Sequence, residues 1–427
     1  MPTSEPLRRV PRKRGARRPY VAFFGHFGRE NLGNEGTLQA VLHHLRRLRP
    51  DARVLCICTG AETVASEYEV ETLDLNGASS GYWAPRSSLG RGARAILLAI
   101  PTEVYRCFQG YFRLRRADML VVPGTGLLTD AFGLRGWGPF NLLKWSLLAK
   151  ASRCKLRFVS VGAGPVNSKS GRWLVRVALA LADSRSYRDL SSQQYLESLE
   201  VSTRRADRIY PDLAFSLPLG LPVLPRAARN GRPVVGVGVM GRESIYGVAD
   251  VDAAYDVHLE AVAGLVRWLL GRGYSVRLLV GDLGDVHAKN ELWARVQAGL
   301  PDRSPLQHVI NEPIGSVEDL VSQISSVDFV VATRFHNVLM ALLYGKPAIA
   351  ISLHDKCRAL MSAMGLARYS LEPGMLEAEL VIERFRELEE GAAGLRPVIR
   401  DRVEEFRAAL DQQYERIFSE PAASTRV

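Results

Sequence analysis

Asp328-Phe329-Val330-Val331-Ala332-Thr333-Arg334-Phe335-His336-Asn337 opens as a short run of branched and aromatic apolar residues, and passes at Thr333-Arg334 into an apolar stretch of helical spacing that reaches Tyr344. Gly345-Lys346-Pro347 stops that stretch, and a second apolar run, 348–351, follows at once. Strand, helix and a second strand in so short a span read as a parallel βαβ unit, since a crossover between parallel strands needs a helix to return the chain. The same alternation recurs outward in both directions. Strands are expected at 20–24, 54–58, 119–122, 158–161, 234–239 and 276–280, and the segment 184–189 reads as a short strand leading into a helix that starts near Ser191. Helices are expected at 36–49, 142–151, 173–181, 253–270, 286–300, 317–325 and 355–364. Between the two strand series lies 217–233 with Pro218, Pro222, Pro225 and Pro233, which reads as a linker. The expected organisation is therefore α/β with two Rossmann-like domains. A basic flexible tail occupies 1–18, the first domain 19–218, a linker 219–231, the second domain 232–390, and a C-terminal helix and tail 391–427. The charged amphipathic helix at 398–418 either caps the second domain or crosses back to the first.

The chain has 427 residues, 47% hydrophobic and 24% charged, which is ordinary globular material and excludes disordered or collagenous classes. No apolar run approaches the roughly 18 residues of a membrane-spanning helix. The basic N-terminus leads into an apolar segment too short and too polar for a signal-peptide core. Five cysteines, odd and sparse, make a reducing, cytoplasmic location the expectation. The net charge of +11 suggests a nucleic-acid partner until it is divided. Residues 1–18 carry seven Lys or Arg and one acid, and residues 91–116 carry six Arg and Glu103. These two segments hold the whole excess, so no nucleic-acid partner is expected.

Three turns follow first-domain strands. Gly25-His26-Phe27-Gly28-Arg29-Glu30-Asn31-Leu32-Gly33-Asn34-Glu35 runs straight into a helix, Pro123-Gly124-Thr125-Gly126-Leu127 follows a later strand, and Gly162-Ala163-Gly164-Pro165 another. Such turns either let backbone N–H groups and a helix N-terminus meet an anion or a sugar, or simply turn the chain tightly. The first is neither a P-loop nor a dinucleotide fingerprint. Arg188 ends a short strand, where its guanidinium can fork onto a carboxylate or phosphate or pair with Asp189 at the surface. Arg334 and His336 leave a central strand two residues apart, a fixed charge beside a titratable imidazole, which suits anion binding coupled to proton transfer. His354-Asp355-Lys356 ends the next strand, either as a second polar cluster or as a capped helix start. Gly281-Asp282-Leu283-Gly284-Asp285 touches a ligand hydroxyl or turns the chain. Cys56-x-Cys58 has no second pair and reads as core rather than metal site.

With these motifs in order, from Phe23 to Leu366, the chain resembles the polysaccharide pyruvyl transferase family. The resemblance rests on 25–38, 123–130, Val161-Gly162-Ala163-Gly164-Pro165, Tyr187-Arg188-Asp189, Pro211-Asp212-Leu213-Ala214-Phe215, Arg334-Phe335-His336, and Gly345-Lys346-Pro347 through Lys356. It implies two Rossmann-like domains facing a cleft, similar to B-type glycosyltransferases. It also implies a reaction that moves the enolpyruvyl unit of phosphoenolpyruvate onto two hydroxyls of a saccharide as a cyclic ketal. His336 matches the family's histidine and is the expected acid, with Arg188, Arg334 and Lys356 on the donor. Gly28, Asn31, Gly33, Asn34, Glu35, Gly124, Thr125 and Gly126 would line the acceptor or phosphate loops. Relatives commonly carry Gly-Asp-Glu where this chain has Gly33-Asn34-Glu35, a departure that bears on the acceptor more than on the donor. Phosphoenolpyruvate is then a co-substrate, and no cofactor or metal is expected. A rival reading, a nucleotide-sugar glycosyltransferase of the same architecture, calls for an acid in the second-domain loop to hold a ribose. Another rival is a non-catalytic saccharide- or lipid-binding relative. The segment 91–116 interleaves arginines with Tyr105, Phe108, Tyr111 and Phe112. It reads either as a crossover helix with a solvated edge or, with the basic tail, as a contact to an anionic membrane surface. The second reading suits lipid-linked acceptors and a peripheral position at the inner face of the cell membrane.

Overall fold

The computed structural model describes residues 18–28, 31–75, 100–130, 138–220, 231–245, 250–352, 355–372 and 376–419. Most of the basic tail, the stretch 91–99, Arg29, Glu30, His354 and most of the proline linker lie outside the described residues.

Two sheets form. The first contains β1 (Tyr20–Phe24), β2 (Arg53–Cys58), β3 (Glu71–Asp74), β4 (Met119–Pro123), β5 (Lys155–Val161), β6 (Ser184–Tyr187) and β7 (Arg208–Ile209), in the order β3-β2-β1-β4-β5-β6-β7. The second contains β8 (Val234–Gly238), β9 (Ser275–Leu279), β10 (Val309–Ile310), β11 (Phe329–Ala332), β12 (Ala348–Ile351) and β13 (Ser370–Leu371), in the order β10-β9-β8-β11-β12-β13. Every pairing is parallel. The central strands therefore carry helices on both faces, which is why runs such as Val-Val-Gly-Val-Gly and Ala-Ile-Ala-Ile are apolar throughout and wholly buried. Each order reverses at its first strand, at β1/β4 and at β8/β11, the place where a doubly wound sheet opens a crevice beyond its strand C-termini.

The helices are α1 (Leu32–Leu48), α2 (Ala61–Tyr68), α3 (Ile100–Leu114), α4 (Pro139–Ala151), α5 (Lys169–Ala180), α6 (Leu190–Ser198), α7 (Val251–Gly271), α8 (Val286–Ala298), α9 (Val317–Ser325), α10 (Phe335–Leu343), α11 (Asp355–Ala363) and α12 (Ala378–Phe418). None of them is long and apolar enough to cross a membrane. The proposed βαβ unit is β11-α10-β12, with β11 between β8 and β12 at the centre of its sheet.

The C-terminal helix differs from expectation. α12 starts at Ala378, not 398, and runs unbroken through Gly391, Gly394 and Pro397. Local signals favour a break there, but tertiary packing overrides them. Its first half packs Phe385 edge-on to Trp268, Tyr274 and Phe329 of the second half of the chain. Its last turns cross to the first half. There Tyr414 stacks on His44 at 4.3 Å and shares a hydrogen bond with Ser216, while Gln413 joins Ser160 and Ser186 in a buried network. Of the two readings, capping the second domain or crossing back, the helix does both. The halves also meet at the start of α1. Asn31 Nδ2 donates to Asp282 Oδ2 at 2.8 Å beside a backbone bridge between the same two residues, and Gln39 Nε2 donates to Glu318.

Candidate active site

The C-terminal ends of both sheets converge on one ring, Phe335. β11 is buried to Ala332, and the Thr333 N–H prolongs its ladder to the Gly238 carbonyl at 3.0 Å. Arg334 stays extended as the N-cap and α10 begins at Phe335, so Arg334 and His336 emerge together at the positive end of a helix. Arg334 is fixed as a fork. Its Nε and Nη2 donate to the two oxygens of Asp285 at 2.5 and 2.6 Å, and Nη2 also reaches Ser244 Oγ at 2.7 Å. Asp285 is itself buried and accepts the Gly241 N–H. Two-point pairing leaves the planar guanidinium little freedom, so it points one way before any ligand arrives.

From the first half, Arg188 leaves β6 and lays its guanidinium 4.7 Å from the centre of the Phe335 ring. It is not the surface pair with Asp189 that proximity in sequence suggests. It is nearly buried and held by Asp189 at 3.2 Å and by the buried Asp212 at 3.4 Å. Lys356, in the first turn of α11, brings its ammonium 5.9 Å from the same ring. Burial lowers the Lys356 pKa to about 8, helped by the neighbouring arginines.

His336 stands edge-on to Phe335 within this ring of cations. Burial first, then Lys356, Arg188 and Arg334, hold its pKa down to about 3, so the resting imidazole is neutral at pH 7. Its Nε2 is buried and finds no hydrogen-bond partner among the described residues. The other face of the imidazole rests on Gly33 of α1, so closely that a Cβ built there would lie 1.8 Å from His336 Nδ1. Only glycine permits this approach between the halves.

The remaining loop residues divide into inward and outward groups. The Gly28 N–H donates to Glu35 Oε1 at 2.7 Å, and Glu35 and Asn34 are buried in the first turn of α1. The Asn31 side chain caps that turn through the Asn34 N–H and binds Asp282 across the cleft. Gly28 and Asn31 thus spend their polar groups on the loop itself and on the domain contact. Gly124 packs on the Ser160 carbonyl. Thr125 is buried, and its Oγ1 has no hydrogen-bond partner among the described residues. Gly126, at φ +65°, faces open space. The structure therefore brings together Gly33, Arg188, Arg334, His336 and Lys356, while the 124–126 turn lies further along the first rim. Sequence reasoning missed Phe335 as the shared platform and Asp285, Asp212 and Ser244 as the groups that hold the arginines. The acids of 281–285 stood out as polar turn residues, but their partner is far away in sequence. Cys56 and Cys58 are fully buried, free, and part of the core.

Likeness to solved structures defines the architecture. UDP-GlcNAc 2-epimerase from Neisseria meningitidis bound to UDP-GlcNAc superposes with a TM-score of 0.60 at 13% identity, over 94% of this chain and 100% of that one. A glycosyltransferase from Rickettsia africae ESF-5 gives 0.57 at 11% identity, over 96% and 100%. The trehalose-6-phosphate phosphatase N-terminal domain of Candida albicans gives 0.56 at 11% identity, over 94% and 98%. At such identities the likeness is one of fold, the two-domain arrangement of B-type glycosyltransferases, and it carries no chemistry. No curated protein matches the chain. The family model of the polysaccharide pyruvyl transferases matches residues 31–355, a span that includes Gly33, Arg188, Arg334 and His336 and ends one residue before Lys356. With that match added to the site's geometry, the chain belongs to the polysaccharide pyruvyl transferase family.

Proposed function

We propose that this protein transfers the enolpyruvyl unit of phosphoenolpyruvate to two hydroxyls of one sugar in a polysaccharide or lipid-linked saccharide, forming a cyclic pyruvate ketal. The observation that carries this reading is the convergence of Arg188, Arg334 and Lys356, from both halves of the chain, on a neutral His336. Phosphoenolpyruvate is a compact trianion whose carboxylate and phosphate call for separate cations close together. In this reading the first half, 19–218, receives the acceptor and the second half, 232–390, holds most of the donor.

The chemistry needs a proton at C3 of the enol, an acceptor hydroxyl at C2, departure of phosphate and closure by a second hydroxyl. Net, one hydroxyl proton ends on C3 and the other leaves on phosphate, while the C2–O bond to phosphate breaks and two C2–O bonds to the sugar remain. His336 is the acid for C3. Its resting pKa of about 3 leaves it without the proton. The incoming trianion offsets the cations that depress it, so His336 takes up a proton as donor binds. Arg334, locked on Asp285, and Arg188, locked on Asp212, then hold the charge that develops on the leaving phosphate.

The test is incubation of the protein with phosphoenolpyruvate and bacterial polysaccharides or lipid-linked saccharides. Phosphate release matched by an acceptor mass gain of one pyruvate less one water is expected. Transfer of a sugar from a nucleotide sugar, with phosphoenolpyruvate inert, would contradict the proposal.

A further inference from the structure

The helical layer α3-α4-α5, on the face of the first sheet opposite α1, carries a surface that the reaction does not use. Every exposed aromatic side chain among the described residues lies on it. Tyr105, Phe108 and Phe112 on α3 are 65%, 60% and 57% exposed, Trp173 on α5 is 58% exposed, and Phe140 begins α4. Val104 and Leu147 add to the same layer. Large apolar side chains scattered singly are ordinary, but a set this concentrated marks a contact surface. By contrast α1, on the opposite face, is covered by the end of α12.

Charge indicates the partner. Ten Lys or Arg lie on or directly after these three helices. Among the described residues they face five carboxylates, Glu103 and the Glu71, Asp130, Asp183 and Glu200 that reach in from neighbouring elements. Neither α4 nor α5 contains an acid. So basic a face opposes a second copy of itself. The apolar side chains also spread over three adjacent helices rather than lining a groove that would seat a peptide. Aromatic bodies among cations on a broad surface suit a bilayer interface, where rings enter the headgroup region and Arg and Lys meet lipid phosphates.

We propose that the α3-α4-α5 surface docks on an anionic lipid bilayer through Tyr105, Phe108, Phe112, Phe140 and Trp173. The surface starts at the cleft. The Lys144 ammonium on α4 bonds Glu103 in the first turn of α3 at 2.6 Å, and both helix N-termini lie at the C-terminal edge of the sheet, where the site is. Docking would bring the rim of the acceptor half to the membrane surface. The inference stands apart from the chemistry proposed above, because its test measures no turnover.

The full-length protein is floated with vesicles of phosphatidylcholine alone or mixed with phosphatidylglycerol, alongside two variants, Phe108→Ser with Phe112→Ser, and Arg115→Glu with Arg116→Glu. All four positions are exposed, and unchanged melting temperatures establish that the fold is kept. The wild type is expected to float only with the anionic vesicles, and less at high salt. Each variant is expected to lose at least about tenfold in binding. Absence of flotation by the wild type overturns the proposal. So does binding to both vesicle types alike, or undiminished binding of both variants, which would assign the contact to the basic tail at 1–18. Light scattering gives the last check: a dimer that dissociates in the Phe108→Ser, Phe112→Ser variant would mean that a second copy covers this face.

Discussion

At its C-terminal edge the first sheet presents glycines, Gly28, Gly124 and Gly126 in turns and Gly33 in the first turn of α1, whereas the second presents Arg334, His336 and Lys356. The two sheets share one strand order, so topology does not account for the difference. The first edge contributes space and close backbone approach, with Arg188 as its single cation in the cluster, and the second contributes the charges and the imidazole. The contrast is sharpest where the edges touch, because the absence of a side chain at Gly33 is what lets His336 stand among three cations. A cluster of this kind belongs to neither half, and substitutions on the two edges should fail in different ways.

The largest effect is expected on the second edge. His336→Gln should lower kcat about a thousandfold, the range typical of a lost general acid, while phosphoenolpyruvate affinity and melting temperature stay close to wild type. A variant that retains kcat would remove His336 from the chemistry. Next comes the contact itself. Gly33→Ala should displace the imidazole and lower kcat about a hundredfold without exposing either core, since a displacement of about 1 Å is enough for such a loss. Steady-state kinetics with a thermal melt separates misplacement from unfolding. Asp285→Ala leaves the Arg334 guanidinium without its main partner, at a cost of about 3 kcal/mol in stability by denaturant titration and a raised KM for phosphoenolpyruvate.

Acid should weaken the whole molecule through its neutral imidazoles. His44 and His258 are held down to about 4, and His336 to about 3, chiefly by burial. These folded values lie below the ordinary value of about 6.5. The unfolded chain therefore binds more protons below pH 6.5. Stability is full above that pH and falls by about 1.4 kcal/mol per unit for each imidazole as pH drops toward the folded values. Bound phosphoenolpyruvate should flatten the His336 share, which melts recorded between pH 7 and pH 5 with and without it would reveal. The smallest effect belongs to the open part of the first edge. Gly126→Ala meets no neighbour, and only its positive φ resists, so about 1 kcal/mol of stability and little activity should be lost.

Much of the architecture was legible because parallel strands buried on both faces advertise themselves as apolar runs. The β11-α10-β12 unit could be read directly, with Arg334 and His336 at its turn. The edge strands β3, β7, β10 and β13 are not legible, being short and incompletely buried. In sequence α12 reads as starting at 398, because Gly391, Gly394 and Pro397 signal a break, and the packing of Phe385 that overrides them is invisible there. The arginines were legible, but their carboxylates were not. Asp285 meets Arg334 across the β9 and β11 ends, 49 positions apart, and Asn31 meets Asp282 at 251. Local pattern identifies the residue that reaches for a ligand; the residue that holds it in place is known only once the chain has folded.

The central claim is that the cluster around His336 takes phosphoenolpyruvate and a proton together. Calorimetric titration of phosphoenolpyruvate at pH 7, in two buffers of different ionisation enthalpy, measures both at once. The account predicts saturable binding with uptake approaching one proton, uptake that vanishes in His336→Gln, and no displacement by UDP-GlcNAc. Binding of UDP-GlcNAc in its place, or phosphoenolpyruvate binding with proton uptake unchanged in His336→Gln, would contradict it.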